Sequence, residues 1–366
     1  MQSYIHQIQT TVPKHKYTQT ELRDRMKEIV GGDDKDQRLL HHIYGRSGIE
    51  TRHSVVDDFK SSGSFELFFN GQGAAPGTKS RNDTYIKNGR ELFVDVAQKL
   101  MNSSDFDTSD ITHLITVSCT GFYAPGPDYD IINSLGLRSS IERYHLGFMG
   151  CYAVIPALKL ARQLCQADEN ANVMVVSVEL CTLHFQAQPV LDDMISASVF
   201  SDGGSGAIIS GKKPVQGPYY SIEGFESAIT EKGKEDMAWS IGDQGFNMTL
   251  STYVPDILSS ELNSFLEPIF KKYEMTQDEI SLWGIHPGGR AILDKVESTL
   301  SLDKDALGAS RSVLSNYGNM SSATILFVLK ELLEGRTEND HQKQKTLAMA
   351  FGPGLTIESA LLTKHS

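Results

Sequence analysis

The chain has 366 residues, a net charge of −12, 40% hydrophobic residues and 22% charged residues. That length supports two subdomains or one large double-layered domain, and the composition is that of an ordinary globular protein. The negative charge argues against nucleic acid and against a basic membrane-binding face, while leaving room for a local basic site for a phosphorylated substrate.

Residues 1–16 lack an apolar run of signal-peptide length, and no stretch approaches a membrane span. The four cysteines, Cys119, Cys151, Cys165 and Cys181, have neither metal-site nor redox spacing. We expect reduced thiols, no metal and a cytoplasmic location.

Residues 4–11 read as a first strand closed by Pro13, and 18–30 as a helix with Thr18 as cap and Glu21 completing a capping box. Residues 31–36 form a polar break, and 39–49 mix helix and turn. Residues 61–82, rich in Gly, Ser and Asn, read as a surface loop partly held down by Phe65, Phe68 and Phe69. An amphipathic helix is expected at 90–101. Buried strands are expected at 111–117, 173–178 and 207–210. Residues 211–219, with two lysines and two prolines, mark a joint between halves, 1–212 and 218–366. The second half repeats the strand–helix order: helix 256–273, strand 282–286, helix 291–300, helix 320–333 and closing strands 346–351 and 355–362. Residues 336–345 read as a charged surface turn. Alternating strands and helices point to an α/β fold with helices covering the sheet.

Three segments carry chemistry. Cys151 follows Gly150 and precedes apolar residues at helical spacing, Ala153, Ala157, Leu158, Ala161 and Leu164. A cysteine at a helix start meets unpaired N–H groups and the positive end of the dipole, which favour the thiolate. A buried cysteine, however, often only packs. His286 ends a strand and precedes Pro287-Gly288-Gly289; it reads either as a satisfied core histidine or as a functional group at a strand end. Asn319 stands before an apolar helix, either as a cap or as an amide donor to a developing oxyanion. Cys, His and Asn together serve papain-like proteolysis or decarboxylative acyl transfer. The protease's own signature around cysteine is absent.

The segments WGIHPGGRAILDKVE (283–297), LSNYGNMSSATIL (314–326) and FGPGLT (351–356) then stand in order, with APGPDYDIINSLGLR (124–138), Gly150-Cys151 and FSDG (200–203) before them. Through residues 46–362 the chain resembles the type III polyketide synthases, the chalcone and stilbene synthase superfamily of the thiolase fold. Residues 179–185 look more like bacterial members. The resemblance implies a thiolase-like αβαβα layered fold made of two similar halves and a homodimer with residues 124–137 near its interface. No cofactor beyond CoA thioesters is implied.

By the same resemblance, Cys151 is acylated by a starter acyl-CoA, and His286 and Asn319 hold the thioester carbonyl of malonyl-CoA during decarboxylation. Phe200 and Met248 stand at the gate between substrate tunnel and cavity. Cys119, Cys181, His184 and Ser321 line the cavity, with Phe351, Gly352, Pro353 and Gly354 as its shaping loop. Arg46 matches a CoA-binding base, whereas Leu39 and His42 stand where the family has further basic residues, so an acyl carrier protein is an alternative donor of the starter. His184 is expected to offer a titratable group to the growing chain. Two rival readings are an initiating ketoacyl synthase that uses an acyl carrier protein, and a non-catalytic partner subunit of the same fold.

Overall fold

The computed structural model describes residues 1–60, 67–68, 75–186, 188–230, 232–335 and 343–366. Strands β1 (Ser3–Thr11) and β2 (His15–Thr18) lead into α1 (Gln19–Val30), α2 (Asp34–Arg46) and β3 (Thr51–Ser54). Then come α3 (Thr78–Asn102), β4 (His113–Ser118), α4 (Pro127–Leu135), β5 (Glu142–Gly147), α5 (Val154–Ala167), β6 (Asn172–Leu180), α6 (Leu191–Val199) and β7 (Asp202–Ser210). After residues 211–218 follow β8 (Tyr219–Ile229), the hairpin β9 (Met237–Gly242) and β10 (Gly245–Leu250), and α7 (Val254–Lys272). The chain ends with β11 (Leu282–Ile285), α8 (Arg290–Thr299), α9 (Gly308–Tyr317), α10 (Thr324–Glu334), β12 (Gln344–Gly352) and β13 (Thr356–His365).

Nine strands pair in the order β11-β12-β13-β8-β1-β7-β6-β4-β5. The first-half strands β1, β7, β6, β4 and β5 are contiguous, and so are the second-half strands. Only the short antiparallel pairing of β1 with β8, at Ser3–Ile5, joins the two sets. Side chains alternate between two cores, as a strand buried on both faces requires. On β6, Val173 and Val175 face an inner core, while Met174, Val176 and Val178 face an outer one. On β12, Ala348 and Ala350 join the same inner core, and Leu347, Met349 and Phe351 face a third cluster. The inner core is filled by α5 through Ile155, Leu158 and Ala161 and by α10 through Ile325 and Leu329. Phe93, Val96 and Leu100 of α3 cover one outer face; Leu258 and Leu262 of α7 and Leu293 of α8 cover the other. The layers run helix, sheet, helix, sheet, helix, which is the thiolase-like α/β architecture.

Local chemistry explains most boundaries. Thr18 and Glu21 form the expected capping box, and Asp33 with Asp36 forms a second, so the polar break starts α2 at Asp34. The helix expected at 90–101 begins twelve residues earlier, at Thr78, and takes in the end of the supposed loop. Residues 61–66 and 69–74, with Phe65 and Phe69, lie outside the described residues; Phe68 packs beside Phe59 and Phe185. Residues 336–342 of the charged turn also lie outside them. Cys151 does not start a helix, because α5 begins three residues later. Asn319 likewise precedes a 3-10 turn, Ser321–Ala323, rather than opening α10 directly.

Candidate active site

Cys151 sits in the turn between β5 and α5, 9% exposed. Gly150 holds φ +88°, and a Cβ there would lie 2.5 Å from Cδ of Pro353. Only glycine meets both demands. The helix-start argument led us to expect a lowered thiol pKa, and the structure reverses it. Burial pushes the Cys151 thiol up to about 11; hydrogen bonds from the Ser321 and Asn319 side chains pull it down, and Glu179 pushes it further up. Cys151 is a neutral thiol at rest.

His286 leaves the end of β11, its backbone N–H donating to Met349 O at 2.8 Å. The side chain is 1% exposed, and neither ring nitrogen has a hydrogen-bond partner among the described residues. Burial lowers its pKa to about 3, so the ring is neutral. A buried imidazole with both nitrogens unspent is costly unless a ligand uses it.

Asn319 is clamped by backbone bonds on both sides. Its N–H donates to Val199 O and its carbonyl accepts from Ser201 N–H, both at 2.9 Å, bridging it to Phe200. The amide oxygen accepts from Ser321 N–H at 2.9 Å, and Nδ2 donates to Gly288 O at 3.2 Å. With the oxygen so used, the side chain presents N–H, and it hydrogen-bonds the Cys151 sulfur.

A cavity of about 350 Å³ collects these groups. Cys151, His286, Asn319, Phe200, Met248, Cys119, Cys181, His184, Ser321, Phe351, Pro353 and Arg46 all line it. Gly352 and Gly354 do not. A Cβ on Gly352 would lie 2.6 Å from the Tyr152 ring and 3.4 Å from Cys151 N, so Gly352 seats the loop against the nucleophile's turn from behind. Gly354 supplies a positive φ of +128°. Among the described residues no group of three or more His, Cys, Asp or Glu is placed to hold a metal ion.

His184 differs from expectation. Its Nε2 donates to Thr120 O at 2.7 Å, and its Nδ1 accepts from Phe246 N–H at 3.0 Å. The ring stacks on Phe246 with centroids 4.0 Å apart, and burial lowers its pKa to about 3. Both nitrogens being taken by backbone, the ring has no proton to exchange with a substrate. It ties the β9–β10 hairpin to the wall.

Sequence reasoning passed over two features. The hairpin lines the cavity with Met237, Trp239 and Leu250 besides Met248. Glu179, fully buried at the end of β6, accepts from Cys119 N–H at 2.9 Å, Thr120 Oγ1 at 2.8 Å and the Ser322 hydroxyl. Burial raises its pKa to about 7. A glutamate near the end of a largely apolar strand was the available signal.

A cysteine-bearing turn ahead of a central helix thus shares one cavity with an imidazole and an amide from the second half. Residues 2–214 match the model of the N-terminal domain of chalcone and stilbene synthases, and residues 226–365 that of their C-terminal domain. The chain belongs to the chalcone and stilbene synthase family. It is 28% identical over 367 residues to "Probable polyketide synthase 1" of Dictyostelium discoideum, covering 98% of this chain and 11% of that protein. Among solved structures, PKS-I from the brown alga Ectocarpus siliculosus superposes with a TM-score of 0.92 at 28% identity, covering 99% of this chain and 98% of that one. The C-terminal type III polyketide synthase domain of Steely1 from Dictyostelium gives 0.90 at 26% identity, each chain covered in full at 100%. The fungal type III polyketide synthase ORAS shares the fold, with a TM-score of 0.87 at 23% identity and 100% of each chain covered. No helix among the described residues is long and apolar enough to cross a membrane.

Proposed function

We propose that the chain condenses an acyl thioester starter with malonyl-CoA by decarboxylative Claisen condensation, as a type III polyketide synthase. The observation that carries this reading is the buried His286, both ring nitrogens unpartnered, in one cavity with Cys151 and the Asn319 amide. Cys151 Sγ attacks the starter carbonyl and CoA leaves as its thiol. The cysteine proton departs as the sulfur attacks; the neutral His286 ring takes it and returns it to the departing CoA sulfur. Malonyl-CoA then loses CO₂, and the electron pair of the broken bond becomes an enolate. His286 and Asn319 donate N–H to the enolate oxygen, where pre-aimed donors act on charge as it forms. The carbanion attacks the acyl carbon on Cys151, a carbon–carbon bond forms, and the cysteine sulfur is released as a thiolate that takes up one proton from solvent to return to the resting thiol.

Phe200 and Met248 stand as gate residues, Arg46 meets the phosphates of the carrier, and Cys119, Cys181, Ser321, Phe351 and Pro353 shape the product. No cofactor beyond CoA-linked substrates enters the scheme. We assign the protein to the cytoplasm as a homodimer of two-halved subunits, 1–212 and 218–366, with an acyl carrier protein as the alternative starter donor. The test is incubation with malonyl-CoA and a panel of acyl-CoAs, with products identified by mass spectrometry. Malonyl-CoA turnover into chain-extended products, with acyl-enzyme lost in Cys151→Ala, is expected. Turnover only when a carrier protein delivers malonyl groups overturns it in favour of the initiating ketoacyl synthase.

A further inference from the structure

Helix α6 ends at Val199, and its last carbonyls need partners that the helix cannot supply. They find them in side chains from the first 52 residues. Tyr44 Oη donates to Ala197 O at 3.0 Å, and Gln19 Nε2 donates to Ser198 O at 2.7 Å. Arg52 Nη1 donates to Ala197 O at 2.7 Å and Phe200 O at 2.6 Å, and its Nε donates to Gln19 Oε1 at 3.0 Å. Arg52 is only 4% exposed and has no carboxylate within ion-pair distance among the described residues. A buried guanidinium is costly, and here it is answered by the negative end of a helix and by carbonyl oxygens.

The chain leaving this cap is Val199-Phe200-Ser201, the same three residues that hold Asn319 through two backbone bonds. Arg52 also lies directly beneath the preceding residue: a Cβ on Gly318 would meet its Cγ and Cδ at 2.9 Å. Gly318 has φ +71°, so the chain bends over the guanidinium stem immediately before the amide donor. One nitrogen, Nη1, reaches both Ala197 O and Phe200 O, Nε is seated on Gln19, and the stem supports Gly318.

We propose that Arg52, seated by Gln19, is the positioning residue for the amide of Asn319 and for the Phe200 gate. Arg52 lines the same cavity, but its hydrogen bonds go to Gln19, Ala197 and Phe200. This rests on the reading of Asn319 as an oxyanion donor. A donor displaced by about 1 Å costs about a hundredfold in rate, so loss of the clamp is a kcat effect. In Arg52→Met, malonyl-CoA decarboxylation is expected to fall about tenfold to hundredfold in kcat with KM changed less than about threefold. Iodoacetamide labelling of Cys151 should slow much less than decarboxylation, because the Ser321 hydrogen bond to the sulfur is kept, and Arg52→Lys should recover part of kcat. Amide exchange at Asn319 and Ser201 should rise in Arg52→Met, a readout that needs no substrate.

Wild-type decarboxylation tests the underlying reading, and the ratio of variant to wild type tests Arg52. Wild-type kcat in a folded Arg52→Met, a rise in KM alone, or unchanged exchange at Asn319 overturns the proposal. Where Arg52→Met does not fold, Gln19→Met, which removes the seat of the guanidinium, carries the same expectations in weaker form.

Discussion

The acidity of Cys151 is set by its neighbours as much as by its place in the chain. Glu179 ionises at about 7, and its charge raises the thiol. Replacing it with glutamine keeps the hydrogen-bonding shape and removes the charge. In Glu179→Gln, iodoacetamide labelling of Cys151 is therefore expected to shift to lower pH; superimposable profiles would remove Glu179 from the account. The same group carries a stability signature. Its folded pKa lies above the ordinary glutamate value of 4.5, so its favourable contribution is present below that pH and is lost as pH rises through about 7. Glu179→Gln should gain on wild type in urea midpoint above pH 7 and not below pH 4. Gly150 sets the other local constraint. Alanine at φ +88° costs about 1–2 kcal/mol in the backbone alone, before any contact with Pro353. Gly150→Ala should lower Tm and displace the sulfur, read as slower Cys151 labelling; an unchanged Tm would mean that the 351–354 loop yields freely.

Among the elements, the capped and periodic ones were legible. Thr18 with Glu21 and the apolar spacing of α5 and α10 each rest on bonds or contacts close in sequence. The hairpin β9–β10 was not read, although Gly242 and Gly245 flank a two-residue connection between six-residue runs. Its strands are polar on one side and outside the main sheet, so no alternation with a core face marked them. The role of His184 was misread for a related reason. Nothing in the sequence near position 184 shows that Thr120 and Phe246, 64 and 62 residues away, take both ring nitrogens. The consequence is measurable. His184→Thr is expected to raise amide exchange at Phe246 and across β9–β10, and to change products through the loosened wall that carries Trp239 and Met248. Because the wild-type ring stays neutral, its product profile should not follow a histidine titration between pH 6 and 8. A wild-type profile that changes with a midpoint near 6.5 and flattens in His184→Thr would restore the acid–base role.

At the scale of the whole molecule, the alternation of strands and helices in the sequence showed an α/β fold with covered sheet faces, and the family resemblance supplied the five-layer order; β4 reads as an apolar run, whereas β7, buried throughout, opens Asp202-Gly203-Gly204 and shows only its apolar end. What the sequence did not carry was charge burial, since a side chain's desolvation depends on every layer around it. That burial leaves a signature in acid. Burial lowers the pKa of His184 and His286 to about 3, and that of His6 to about 4, from the ordinary histidine value of 6.5. Unfolding exposes these rings, which then bind protons the folded chain refuses, so their contribution falls as pH drops below 6.5. Glu179 and Asp202 oppose this, with folded values of about 7 and about 6: they are protonated when folded, and unfolding releases their protons at pH 5. As pH falls through 4 the unfolded carboxyls protonate and the opposition fades, but the folded rings begin to protonate as well, so net proton uptake on unfolding stays nearly constant. Stability should therefore decline steadily from about pH 6 and level off below about pH 3, followed as the urea midpoint against pH. His286→Gln, which removes one of the three rings, should make this acid limb shallower. An acid limb of wild-type slope in that variant would mean that His286 is not buried as a neutral ring in the folded protein.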